Sequence, residues 1–312
     1  MNNDIQNLFD QFIQEMKYGK IVASATIVTY RDCFKLFVKT YPNLNLSMIN
    51  KSLLLDYFEK LNTRKRRVGD DFVQGVKKST IATHRSKLNP FFKWLVKNKR
   101  IKKNPFDNME HPNVEYNDIK MISGEDLYKI FTGVNMTIKF KTHFQRTRNI
   151  AIFAVAMLAG LRKGEILGLR LMDINFETRM MLVSGKTSKS KMDRMIPINR
   201  ELLGVLKNYV NERLERGAEC SALFLSNTSN TPFTTHGLKH LVKIVNEHSG
   251  VKFHMHQFRH TFAVNLVAKL GIYNLQRLLG HKDIRMTEKY LRYSPNEEYS
   301  EALDELRLQD FI

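Results

Sequence analysis

The chain is short of several things that would have pointed elsewhere. It has two cysteines in 312 residues, Cys33 and Cys220. They lie far apart and match no disulfide framework or zinc spacing, so a reducing compartment is expected. Proline numbers seven and tryptophan one, and no low-complexity or repeated tract is visible. The longest apolar run, Ile150 to Leu161, is too short to span a bilayer and reads as a buried helix. Residues 1–20 carry Asp4, Asp10 and Glu15 on an amphipathic pattern, which is not a secretory signal. A cytoplasmic protein that avoids membranes is expected.

Acidic residues are also scarce. Lys and Arg number 50 against 31 Asp and Glu, a net charge of +19. Residues 1–112 hold 21 of the basic and 10 of the acidic residues, so the smaller part is the more basic for its length. Arg64, Lys65, Arg66 and Arg67 form one cluster, and Lys99, Arg100, Lys102 and Lys103 another, with Lys77 and Lys78 between them. Such clusters suit phosphate neutralisation along duplex DNA, where each contact adds salt-dependent affinity.

The apolar periodicity predicts helices over 4–17, 24–40, 47–61 and 79–98, the last with a kink at Pro90. Trp94 and its neighbouring phenylalanines read as core. Asn104-Pro105 and His111-Pro112 lie in a polar stretch that suggests a linker. The expected division is a helical domain at 1–112, a linker at 113–122 and a second domain at 123–312. Ser123 is expected to cap the helix that follows. Met180–Val183 and Arg194–Ile198 read as a β-hairpin with a lysine-rich tip. Helices are expected at 199–216, 234–248, 256–270, 272–279, 284–291 and 297–308. The fold class is therefore mainly α with a small β-hairpin.

The chemistry concentrates between His256 and Tyr290. His256 and Arg259 stand one helical turn apart and present an imidazole and a guanidinium on one face. His281 follows Leu278-Leu279-Gly280, a helix end with a glycine terminator. Tyr290 comes nine residues later, with Tyr293 as its rival. Earlier, Arg162 follows Gly160 at a helix start, with Glu165 one turn on to brace it. A metal site at His254-x-His256 is not expected, since no Cys or carboxylate stands at ligand spacing.

These residues resemble the tyrosine recombinases, the phage integrase family. G-L-R-x-x-E-x-x-x-L matches Gly160 to Leu169, and H-x-x-R-H matches His256, Arg259 and His260. Leu278-Leu279-Gly280-His281 and Tyr290 fall at the family's intervals. The resemblance covers roughly residues 123–295. It implies an N-terminal core-binding domain and a C-terminal catalytic domain closing as a C-shaped clamp on DNA. It implies Tyr290 as nucleophile, with Arg162, Lys186, His256, Arg259 and His281 as catalytic partners and Glu165 and His260 in support. Lys186 is the expected general acid, with Lys189 and Lys191 as rivals that also suit backbone contact. The implied reaction is site-specific recombination through a 3′-phosphotyrosyl bond and a Holliday junction, without metal or cofactor. The implied partners are duplex DNA with paired sites, a homotetramer whose C-terminal tail (297–312) docks in trans, and accessory DNA-bending proteins. Within the family the chain resembles the simpler two-domain members, such as Xer-like resolvases and mobile-element integrases. Two alternatives stand beside this one: a type IB topoisomerase and a non-catalytic DNA-binding protein.

Overall fold

The computed structural model describes residues 3–68, 71–110, 119–188 and 191–293. They fall into two compact units, divided between Tyr116 and Asn117.

In the first unit, helix α1 (Asn3–Gln14) ends in a π-helical turn, Glu15–Gly19. Helix α2 (Ser24–Thr40) follows. Helix α3 (Lys51–Thr63) is capped by Asn50, whose side chain accepts the Leu53 N–H at 2.9 Å. The predicted helix at 47–61 is thereby divided, because Asn50 offers the backbone a cap before the apolar stripe begins. Strands β1 (Lys65–Val68) and β2 (Asp71–Gln74) pair antiparallel. The sequence reading did not anticipate them. Their described side chains are largely exposed, so the alternation of apolar and polar residues that betrays a half-buried strand is absent. Helix α4 (Lys78–Lys97) continues through Pro90.

The core of this unit is aromatic. Phe9 stacks on Phe34 with centroids 3.7 Å apart, and Phe91 meets Phe9 edge-on at 5.2 Å. Trp94 packs against Phe91 and Phe12, as a core residue does.

The second unit opens with helix α5 (Gly124–Thr132), where the Ser123 hydroxyl accepts the Asp126 N–H at 3.1 Å. Helix α6 (His143–Leu158) is its axis: Ala151 to Ala156 are all buried, as the apolar run required. A short helix α7 (Lys163–Gly168) leads to a three-stranded antiparallel sheet of β3 (Ile174–Asn175), β4 (Met180–Val183) and β5 (Arg194–Pro197). Helices α8 (Arg200–Glu215) and α9 (Thr235–Ser249) complete the shell. Helix α10 (Met255–Leu279) is broken at Gly271, whose φ of 70° leaves the helical region. The two helices expected at 256–270 and 272–279 meet there. A final short helix, α11 (Arg285–Glu288), and a 3-10 turn (Leu291–Tyr293) replace the longer helix expected at 284–291. The predicted tail helix at 297–308, most of the expected linker and Lys189 lie outside the described residues.

Among the described residues, no helix is long and apolar enough to cross a membrane.

Candidate active site

Glu165 is the hub on which the site is built. Gly160 ends the α6 segment at φ +62°, and a Cβ there would lie 2.3 Å from the Phe262 ring. Only glycine permits both that backbone conformation and that close approach. The turn sets Arg162 at the N-terminus of α7. Its N–H donates to Glu165 Oε2 (2.9 Å), and its Nη1 donates to Oε1 (3.0 Å). From β5, Arg194 donates to both carboxylate oxygens at 3.1 and 2.9 Å. From α10, Arg259 Nη1 stands 3.8 Å from Oε2. The Ser188 hydroxyl donates at 3.0 Å and ties the β4–β5 loop to the same carboxylate.

Glu165 is 1% exposed, and burial by itself would push its carboxyl up. The Arg194 hydrogen bonds and charge, with help from the Arg162 backbone and Arg259, outweigh burial and hold it at about 2. Three guanidiniums thus surround one carboxylate, which leaves the site with excess positive charge.

Arg259 is as buried as its partner. Nη1 donates to the Gly160 carbonyl and Nη2 to the Leu279 carbonyl, both at 2.8 Å. Nη2 also lies 3.0 Å from His281 Nε2. Burial, then repulsion from Arg162, lowers the guanidinium to about 9, so it remains charged at neutral pH. A guanidinium only donates, so His281 Nε2 accepts and its proton sits on Nδ1. That N–H is 2.7 Å from Thr287 Oγ1, which fixes the ring. Burial and the neighbouring arginines push His281 down to about 3. Gly280, at φ +64°, makes the turn that delivers His281 to Arg259.

Tyr290 is 1% exposed and packs with Phe262, Val264, Val267, Leu275 and Leu279. Its hydroxyl lies 3.0 Å from His260 Nδ1, and its ring is stacked on His281 at 6.4 Å between centroids. The His256 ring meets His260 edge-on at 4.3 Å. Desolvation, then neighbouring positive charges, drives His256 to about 4; His260 falls to about 3, its next cause after burial being His256. Both imidazoles are therefore neutral at pH 7. Burial raises the Tyr290 phenol, and Arg259 and Arg162 pull it back only in part.

The structure thus gathers Arg162, Glu165, Arg259, His260, His281 and Tyr290 into one contact network, with His256 at its edge. Lys186 stands apart. It is exposed on the turn after β4, where its N–H lies 3.3 Å from Ser184 Oγ. Its neighbour Thr187 packs on Gly168 of α7, so the loop that carries it is seated on the site. Lys191 is exposed with φ +56°. Tyr293 accepts the Ile119 N–H at its hydroxyl, 3.4 Å away.

Arg194, Ser188 and Thr287 were not anticipated. Arg194 opens β5 directly after a lysine-rich loop, where nothing local separates it from the other cations. Its role appears only when β5 is paired and its fork meets Glu165. In the first unit, Arg64 caps α3, Lys65 and Arg67 are exposed on β1, and Arg66 Nε donates to the Gly75 carbonyl at 2.8 Å. Lys77, Lys78, Lys99, Arg100, Lys102 and Lys103 are all exposed. Among the described residues no group of His, Cys, Asp and Glu is arranged to hold a metal ion.

A buried cluster of guanidiniums and neutral imidazoles around a tyrosine is chemically suited to holding a phosphate. Residues 130–297 match the profile of the Phage integrase family, more than half of the chain. The chain is 26% identical over 299 residues to the tyrosine recombinase XerC of Bacillus pumilus, covering 93% of this chain and 92% of that protein. Among solved structures, the Tn1549 transposon integrase in complex with transposon right-end DNA matches with a TM-score of 0.68. It is 20% identical and covers 96% of this chain and 98% of its own. The XerH recombinase bound to its palindromic difH substrate matches at the same score and identity, covering 88% and 78%. The chain belongs to the phage integrase family of tyrosine recombinases, enzymes that cleave and rejoin DNA through a tyrosine intermediate.

Proposed function

We propose that this protein performs site-specific recombination with Tyr290 as the nucleophile, within the network centred on Glu165. The observation that carries the assignment is the convergence of Arg162, Arg259, His281 and Tyr290, drawn from three segments of chain, around one buried carboxylate. Tyr290 Oη attacks a DNA phosphodiester and loses its proton, forming a 3′-phosphotyrosyl bond and releasing a 5′ hydroxyl. Arg162 and Arg259 donate to the non-bridging oxygens, which gain charge as the pentacoordinate state forms. His256 and His281 assist at the same phosphate, and Lys186 protonates the departing 5′ oxygen. The 5′ hydroxyl of a partner strand then attacks the phosphotyrosine, so bond energy is kept through the exchange.

Tyr290 is too buried here for a phosphate to reach it. The cleaving state therefore requires the α11 segment to swing the phenol away from His260. Synapsis supplies the occasion: four protomers on paired sites exchange strands through a Holliday junction, with the 297–312 tail docking on a neighbour. Both units of the chain bind the duplex. The basic residues of the first unit, from Arg64 to Arg67, Lys77, Lys78 and Lys99 to Lys103, contact its backbone, joined by Lys189 and Lys191 from the second.

The test is a nicked suicide substrate bearing the cognate site. A covalent protein–DNA adduct is expected, abolished by Tyr290→Phe and retained by Tyr293→Phe. The reverse pattern would move the nucleophile.

A further inference from the structure

The β1–β2 ribbon is a structural anomaly in its own unit. Two strands alone are marginal in water and gain their stability by packing on something. Here Phe72 is 77% exposed and Val73 39%. The root, by contrast, is firmly set. Gly75 adopts φ +75°, and a Cβ there would lie 2.4 Å from the Asn62 carbonyl oxygen at the end of α3. The Gly75 N–H donates to the Arg64 carbonyl at 2.8 Å, and Arg66 Nε closes the base onto the Gly75 carbonyl at the same distance. A rigid base thus holds out an uncovered ribbon.

The register sorts its side chains. Lys65 pairs with Gln74 and Arg67 with Phe72. Directly opposed residues share a face, and alternate pairs share the same one. One face therefore carries Lys65, Arg67, Phe72 and Gln74, all exposed. Arg66, Val73 and Asp71 belong to the other face. This is a base-reading set. Lysine and arginine donate to guanine O6 and N7, glutamine pairs bidentately with adenine, and an apolar ring packs on the thymine methyl. A two-stranded ribbon also fits a major groove about 12 Å wide.

We propose that the β1–β2 ribbon enters the major groove of the target duplex and reads base edges through Lys65, Arg67, Phe72 and Gln74. This rests on the recombinase reading above and adds to it the element that selects sequence. Arg64 and the Lys99–Lys103 cluster hold the backbone, whereas this face discriminates between bases.

The experiment is selection of the full chain on a random duplex library, in parallel with Phe72→Ala and Gln74→Ala. Both side chains are exposed, so the folded unit is retained, which circular dichroism checks. The wild type is expected to enrich one motif. The variants are expected to enrich the same motif with preference lost, by roughly tenfold or more, at a few adjacent positions. Replacing purines at those positions with 7-deaza analogues removes the major-groove N7 acceptor. It should weaken the wild type and leave the Gln74→Ala variant little changed. Identical motifs from all three proteins would overturn the inference while leaving the recombinase reading intact. No motif from any of them, wild type included, would overturn both. Equal sensitivity of wild type and variant to 7-deaza purines would also refute the assignment to this ribbon.

Discussion

The hydroxyl of Tyr290 lies 3.0 Å from Nδ1 of His260, inside a cluster that leaves the tyrosine 1% exposed. His260 is neutral at pH 7, so in its Nε2–H tautomer it accepts the phenol proton. His260→Ala leaves a buried hydroxyl without that partner and should destabilise the second unit by about 1–3 kcal/mol. Tyr290→Phe combined with His260→Ala should recover part of the loss, with a coupling of about 1 kcal/mol in a double-mutant cycle read by urea unfolding. Strict additivity would mean that the contact contributes nothing.

Glu165 holds three arginines together, and removing its charge should be felt in both stability and activity. Its folded-state carboxyl is held at about 2, below that of the unfolded chain. A depressed carboxyl contributes stability that is present above the unfolded pKa and lost as pH falls through the folded one. That window runs from about pH 5 down to about 2. Glu165→Gln should cost on the order of 3 kcal/mol at pH 7, leave Arg194 and Arg259 buried without their counter-ion, and flatten the acid limb of the stability curve. Adduct formation should fall with it.

The histidines act in a different window. His260 and His281 sit near 3 in the folded protein, below their unfolded value. The unfolded chain binds more protons between about pH 6.5 and 3, so stability is full above that range and declines as the medium is acidified. Urea midpoints for the wild type should therefore drop between pH 7 and 5, before any carboxylate titrates. His281→Asn should reduce that slope. An unchanged slope would place the imidazoles in water rather than in the core.

Gly160 admits neither a side chain nor its usual backbone. Gly160→Ala places a Cβ 2.3 Å from the Phe262 ring at φ +62°. A loss of about 2 kcal/mol or more is expected, from positive-φ strain and the clash together. The displacement of Phe262 would disturb the packing around Tyr290, so the adduct rate should fall even at temperatures where the variant stays folded. Full activity with unchanged thermal stability would contradict the geometry.

Much of the second unit was legible because its signals are local. Gly160 before Arg162, Glu165 one turn later, and Leu279-Gly280-His281 are short-range patterns whose physical demands a reader can work out in place. The buried part of α6 follows from the apolar run that begins at Ile150, although the helix ends at Leu158, and Ser123 follows from its capping position. The β1–β2 ribbon was missed because neither strand buries a face, so it leaves no alternation to read. The role of Arg194 was missed for another reason: a cation among cations acquires meaning only from what it touches.

The residue types, their order and the excess of positive charge belong to the sequence, and with them the reaction class. Helix caps and glycine turns belong there too, since they depend on near neighbours and backbone sterics. Only the tertiary structure decided that one carboxylate would gather arginines from α7, β5 and α10. Only it decided that His281 would face Arg259 through Nε2, and that Tyr290 would rest against His260 instead of facing solvent. Those relations join residues up to about a hundred positions apart. They depend on burial, where the low dielectric makes an unpaired charge or hydroxyl costly and each polar group must find a partner.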